Sequence, residues 1–329
     1  MQALRSEILA GLTLDGRWPC WHWIAVGIVA LIDLFWLVMT PLSLSQNSLS
    51  ILCGLAPLVL LGALVSVRFR ASPRFQLLSA GLCFLLVAWP ALRLYNHLTM
   101  STAMPMSDDM LARLDATIGF NWFAYVSWLD QYPRLLGIMS RCYTGLTGYS
   151  IVIYLLLITT DHFEAACREL IQLFVILAIA CSTIGALFPA LTAILYYQPP
   201  PDAFIHIAPG TGAYHITYLS GLRTDAAHVL DLSDLPGLVT IPSFHTAMGV
   251  AAIYCARRTL WLFLPALAVN GLMIASTPVF GSHYGVDVIA GMLVAGFSIA
   301  MIRYGSSIRK DASYFRVLRV FSNVPGYSR

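Results

Sequence analysis

Residues 280–303 read FGSHYGVDVIAGMLVAGFSIAMIR, and from Tyr284 to Ile302 the only charged side chain is Asp287. An apolar run of this length matches the roughly 20 residues that a helix needs to cross about 30 Å of hydrocarbon. The pattern recurs along the chain. Candidate spans fall at about 22–40, 50–67, 76–95, 144–160, 168–193, 242–257, 260–277 and 284–303. The sequence therefore predicts an all-α, polytopic transmembrane helical bundle of about eight spans. The block at 242–257 is short and opens on polar residues.

Composition supports this fold class. The 329 residues are 58% hydrophobic and only 11% charged, against about 25% charged in soluble domains, and the mean hydropathy is +0.75. The net charge of +3, without a basic stripe, argues against a nucleic-acid partner. Seven cysteines (20, 53, 83, 142, 167, 181 and 255) show no CxxC spacing and read as small apolar residues. The first apolar block, with no small-residue cleavage site after it, reads as a retained helix.

Arginines set the expected orientation. Arg5, Arg17, Arg68, Arg70, Arg74, Arg257, Arg258 and the tail residues Arg303, Arg309, Lys310, Arg316 and Arg319 all fall on one side of an eight-span chain, taken as the cytoplasm. The neutral-to-acidic loop at 161–164 lies on that side too. Two long connections, about 96–143 and 194–241, fall on the other. The first contains a helix start, Ser107-Asp108-Asp109. An amphipathic stretch follows with Phe120, Trp122, Phe123 and Trp128. It reads as an interfacial helix, serving either as a structural brace or as the wall of a lateral gate for lipid. The second, with Pro199-Pro200-Pro201 and Pro209-Gly210-Thr211-Gly212, reads as ordered but non-helical.

Two stretches carry chemistry. In Ile241-Pro242-Ser243-Phe244-His245-Thr246, Pro242 and Ser243 are helix-start residues. A Ser243 N-cap leaves the amides near Phe244 and His245 facing outward, which is an anion site at the positive end of a helix dipole. His283 and Asp287 are four apart and share a helix face. The carboxylate can fix the imidazole tautomer and leave the other ring nitrogen as a nucleophile. Both stretches open on the non-cytoplasmic side in this topology.

Pro242-Ser243-x-His245, followed by His283-Tyr284-x-x-Asp287, resembles the type 2 phosphatidic acid phosphatase superfamily. The His-Tyr-x-x-Asp-Val wording is similar to the branch with inositol phosphorylceramide synthase and sphingomyelin synthase. The resemblance is specific over about 242–291. It implies that His283 attacks phosphorus, Asp287 orients it and His245 protonates the leaving oxygen, while Ser243 and the amides at Phe244 bind phosphoryl oxygens. It also implies a division into N-terminal spans with the interfacial segment (1–143), a catalytic helical core (144–303) and a basic tail (304–329).

Two departures from the phosphatase pattern stand out. The serine that should precede an arginine is Ser276, and Thr277 follows it. No Lys-x6-Arg-Pro signature exists, and the only lysine is Lys310. Phosphoryl transfer needs cationic help. Arg223 is the expected substitute, with Arg141 and Arg93 next.

The expected function is therefore a membrane-embedded phosphotransferase that forms a phosphohistidine on a lipid phosphate or phospholipid and passes the group to a lipid alcohol. Hydrolysis to free phosphate is the alternative. No cofactor is expected. Other classes are a metal-dependent hydrolase using His206, His215, His228, His245, His283 and Asp287, and a transporter or non-catalytic lipid-binding protein, which would call for paired broken helices. No internal repeat is visible in the sequence.

Overall fold

The computed structural model describes residues 21–69, 72–102, 104–224 and 228–322, with side chains as far as Tyr304. Arg5, Arg17, Cys20 and Arg70, used in the sequence reading, lie outside the described residues, as do the side chains of Arg309, Lys310, Arg316 and Arg319.

The chain begins with α1 (Trp21–Met39), the short β1 (Ser43–Leu44), α2 (Gln46–Arg68) and α3 (Pro73–Met100). Three shorter helices follow: α4 (Asp108–Thr117), α5 (Trp122–Asp130) and α6 (Pro133–Thr144). Next come α7 (Leu146–Ile158), α8 (Phe163–Leu187), α9 (Ala193–Tyr197), α10 (Ile216–Thr224) and β2 (Val229–Leu230). The chain closes with α11 (Phe244–Ala256), α12 (Leu260–Phe280) and α13 (Gly285–Ser322). The strands pair in parallel, Ser43 with Val229 and Leu44 with Leu230. This pairing ties the α1–α2 turn to the loop before α11.

The all-α bundle is as expected, but the span count differs. Among the described residues six helices are long and apolar enough to cross a membrane: α1, α2, α3, α8, α12 and the Gly285–Tyr304 part of α13. The block read as a span at 144–160 is the second half of a pair, α6 and α7, bent by 68°. Counting that pair gives seven. The block at 242–257 is the 13-residue α11, which rises only about 20 Å.

Its position explains its length. Ala247, Ala251, Ala252 and Ala256 are buried along with Met248 and Cys255, and no residue of α11 is exposed, so the helix packs among its neighbours α7, α8, α12 and α13. A helix at the centre of the bundle meets protein rather than lipid. By contrast α1 and α2 expose Leu31, Phe35, Val38, Leu58, Leu60 and Leu61, as lipid-facing helices do. The six described cysteines are free, and all but Cys53 are buried.

Several arginines gather at one end of the bundle. Arg257 and Arg258 both bond Glu169 near the start of α8, at 2.9 and 3.3 Å. Arg74 lies over the Phe163 ring, 5.2 Å from its centroid. The histidine motifs are at the other end, at the starts of α11 and α13.

The connection over 96–143 packs against α12. Leu111, Trp122, Val126 and Leu129 are buried. Trp122 Nε1 donates to Pro278 O at 2.9 Å, and Tyr125 Oη to Ala275 O at 2.7 Å, on the last turns of α12. Phe123 and Trp128 form an exposed aromatic edge. The connection over 194–241, expected to be non-helical, contains α10, whose Leu219 and Leu222 are buried against α3 and the loop. Apolar contact overrides the turn-rich composition there.

Three buried aspartates lock the brace. Asp108 accepts from Leu191 N (2.9 Å), Thr192 N (3.2 Å) and Tyr284 Oη (2.8 Å). Asp115 accepts from Gly285 N and Val286 N. Asp130 accepts from Ile205, His206 and Ile207 N at 2.7, 2.8 and 2.9 Å. Burial pushes the Asp130 carboxyl up, but the three amides outweigh it and hold the group below its ordinary range.

A depressed folded-state value stabilises above the unfolded carboxyl's range and is lost as pH falls through the folded value. The 205–207 loop should therefore stay clamped above about pH 4 and loosen below it. Asp130→Ala should raise hydrogen exchange at those three amides by about tenfold or more near neutral pH, since it removes the acceptor that protects them. Unchanged exchange would show that Asp130 does not hold the loop.

Candidate active site

The first histidine stretch folds as a capped helix start. Ser243 is the N-cap of α11; its Oγ lies 3.4 Å from Thr246 N and 3.2 Å from Thr246 Oγ1. The Ile241–Pro242 bond that enters the cap is cis. The first-turn amides, those of Phe244 and His245 among them, have no partner within their helix. His245 stacks on Tyr143 of α6, ring centroids 4.1 Å apart and planes 8° from parallel.

The second stretch is a turn held at every residue. Ser282 adopts a left-handed φ of 48°. Its O accepts from Ala193 N at 2.9 Å and its Oγ from Ile194 N at 2.7 Å. His283 N donates to Thr277 O at 3.2 Å. Gly281 sits where a Cβ would come within 2.6 Å of both His283 Cδ2 and Tyr143 Oη. His283 itself lies ahead of α13, which begins at Gly285, yet the expected pairing with Asp287 closes. Nδ1 is 3.3 Å from Asp287 Oδ2, and that oxygen also accepts from Tyr284 N at 2.9 Å.

Two backbone features bring the stretches together. Ser243 N donates to Asp287 O at 3.0 Å. One turn further along α13, a Cβ on Gly291 would stand 2.5 Å from Ser243 O, so glycine permits the crossing. An ionised Asp287 carboxylate can only accept, and it accepts from Nδ1 when that nitrogen carries the ring proton. Nε2 then faces Ser243 Oγ at 3.3 Å, at the positive end of α11. Ser243 and Asp287 are fully buried and His283 is nearly so.

A cavity of about 830 Å³ opens onto this site, lined by both histidines, Tyr143, Phe244, Phe280 and Gly281. Trp89, Leu92, Leu146, Phe174 and Val239 form apolar wall, and Asn96, Ser182, Thr192, Thr240 and His215 are polar lining. The cation on its wall is Arg93, whose Nη2 donates to Leu235 O. Arg223 and Arg141 are not among the lining residues. Arg223 donates to Met104 O, and Arg141 is exposed on α6, two residues before Tyr143. Thr277, where the phosphatase pattern has arginine, is buried and bonds Ile274 O.

Of the histidines considered as metal ligands, His215, His245 and His283 line the cavity, and His206 and His228 do not. His206 bonds Asp130 O, and His215 Nε2 is 3.2 Å from Leu191 O. Burial, aided by the nearby His283, holds His215 below the usual histidine range although the Leu191 contact opposes this. Among the described residues no group of three His, Cys, Asp or Glu side chains is placed to hold a metal ion.

A family model of the PAP2 superfamily matches residues 109–301, more than half of the chain. The chain belongs to the PAP2 superfamily. The match begins within the brace helix α4, so the family unit includes the braces as well as both histidine stretches. Membership supports lipid phosphatase-like activity in a multi-pass helical membrane protein. No curated protein and no solved structure matches the chain.

Sequence reading missed Tyr143, Asp115, Gly281 and Gly291. It treated Asp108 as a helix-start acid, whereas its carboxylate reaches another loop and Tyr284. The small residue one turn after Asp287 was a signal for close backbone approach, but its partner could not be named in advance. Gly291→Val should force the α11 and α13 starts apart. Turnover of a lipid phosphate should fall by about tenfold or more while helix content by circular dichroism is retained. Full activity in this variant would show that the crossing tolerates a side chain.

Proposed function

We propose that this PAP2 protein transfers a phosphoryl-type group from a lipid phosphate ester through a phosphohistidine on His283. The carrying observation is the orientation of that ring: Nδ1 is tied to Asp287, and Nε2 is turned to the Ser243 cap and the cavity. The Nε2 lone pair attacks phosphorus as the P–O bond to the lipid leaving group breaks, and His245 gives that oxygen its proton. In the second half, His245 takes the proton of an acceptor hydroxyl whose oxygen attacks phosphorus, and the P–N bond breaks. Asp287 steadies the imidazolium, while Ser243 and the Phe244 and His245 amides hold the phosphoryl oxygens.

Arg93 is the best-placed cation for the phosphate in this reading, because it shares the cavity wall with both histidines. Arg223 and Arg141 would have to act from outside that wall. The proposed location is the cell membrane with the site on the non-cytoplasmic face. Its support is the distance of Arg74, Arg257 and Arg258 from the histidine end and the bias of arginine toward cytoplasmic loops.

The proposed acceptor is a lipid alcohol, as in the branch with inositol phosphorylceramide synthase and sphingomyelin synthase. The deep, apolar-walled cavity favours it by limiting water at the phosphohistidine. Hydrolysis is the second reading, favoured by the polar lining at Asn96, Ser182 and Thr240, which could order an attacking water.

His283→Ala should abolish turnover, and Asp287→Asn should lower it by about 10³–10⁴-fold with the fold intact. Near-wild-type rates in His283→Ala would overturn the phosphohistidine mechanism. Arg93→Ala should cost about 10²-fold or more in kcat/KM, and more than Arg223→Ala or Arg141→Ala. A larger loss from Arg223→Ala would return the phosphate contact to that residue. A radiolabelled phospholipid donor, supplied with varied lipid alcohols in detergent, separates the acceptors. A labelled lipid product whose yield rises with alcohol supports transfer. Release of free phosphate or a soluble ester at full rate, indifferent to any alcohol, assigns hydrolysis.

A further inference from the structure

A second cavity, of about 520 Å³, lies on the other side of α3. Leu86, Val87, Pro90, Ala91 and Leu94 of α3 face it, whereas Trp89, Leu92, Arg93 and Asn96 face the catalytic cavity. Helices α1 and α2 supply most of the remaining wall, and Leu44 and Leu232 reach it from the β1–β2 end. Its size is that of an ordinary ligand pocket. Of its fifteen lining residues fourteen are apolar, and the other is Asp33.

Asp33 is the anomaly. It is 3% exposed, and neither carboxyl oxygen has a hydrogen-bond partner among the described residues. Asp33 lies about 9 Å along α1 from its Met39 end, inside the apolar run of a membrane-crossing helix. A buried polar group without a partner costs free energy that a leucine here would not. Ionisable residues within spans are rare and mark sites. The phosphohistidine chemistry makes no use of Asp33, which is walled off from it by α3.

We propose that this cavity is a binding site for a single-chain lipid whose head is a hydrogen-bond donor, a hydroxyl or an ammonium, with Asp33 as the acceptor. The chain of such a lipid fits an all-apolar wall, and the donor satisfies the carboxyl that the protein leaves unpaired. The acyl chains of an ordinary diacyl phospholipid would fill the wall but offer Asp33 no donor. The site is separate from the catalytic cavity and does not depend on the proposed reaction.

The test uses the full-length protein in phosphatidylcholine nanodiscs, labelled with a diazirine-bearing hexadecanol. Hexadecanol, hexadecylamine and hexadecyl methyl ether compete for the label. Crosslinks should map to α1, α2 and α3. Hexadecanol or the amine should compete at about a tenfold lower concentration than the ether, the worth of one hydrogen bond to a buried acceptor. Whichever competes better identifies the hydroxyl or the ammonium as the natural head. Asp33→Leu should erase that preference and, without ligand, raise the Tm, because an unpaired carboxyl is replaced by a side chain suited to the wall. Asp33→Asn, which keeps an acceptor oxygen, should retain the preference for the alcohol. The proposal is overturned if the ether competes as well as the alcohol and the amine, or if Asp33→Leu leaves the competition order unchanged; the cavity then holds only bulk lipid.

Discussion

The bond from Ser243 N–H to the Asp287 carbonyl is the contact on which the site depends. It joins the Ser243 cap of α11 to the first turn of α13, and so fixes the N-terminal end of α11 beside a histidine–aspartate pair. The absence of a side chain at Gly291 gives the two backbones room. A displacement of one ångström at this crossing would move Nε2 of His283 relative to the α11 amides, and reacting groups tolerate little such error. The surrounding structure can be understood as the means of keeping that crossing still.

Much of that work falls to buried carboxylates. Asp115 satisfies two amides at the start of α13, amides that would otherwise be unpaired at a buried helix end. Asp108 links the 191–192 turn to Tyr284, next to His283. Asp130 clamps a third loop. Each places a charge out of water, which is costly unless hydrogen bonds compensate it, and each collects two or three donors. Together they convert the long connection before α6 into a rigid collar around the second histidine stretch. The collar stiffens irregular backbone, which near a membrane is tolerated where protein or an aqueous cavity covers it.

Helix α3 has a comparable organising role on the other flank. One of its faces contributes Arg93 and Asn96 to the cavity lined by both histidines, and the adjoining face lines the apolar cavity that holds Asp33. Helix α11 lies deeper still and is rich in alanine, so neighbouring helices approach closely. Its N-terminal dipole end is thereby set in a protein environment where field effects are stronger than in water.

The sequence by itself determined the fold class and singled out the two histidine stretches. Apolar runs of membrane length, sparse charge and arginine placement are local or additive properties, so they are visible without a structure. The same holds for the Ser243 cap, which is a local helix-start signal, and for the nearness of His283 to Asp287, which a separation of only four residues favours even though His283 lies ahead of α13. Only the tertiary structure decided that the 242–257 block is a short enclosed helix, since its composition is the same whether lipid or protein surrounds it. It also decided that the 144–160 block is half of a bent pair and that α10 is helical against its turn-rich setting. Tyr143 behind His245, the three aspartate clamps and Arg93 rather than Arg223 on the cavity wall are likewise tertiary facts. Each joins residues tens to well over a hundred positions apart, and no one-dimensional pattern specifies which distant backbone a carboxylate or a ring will meet.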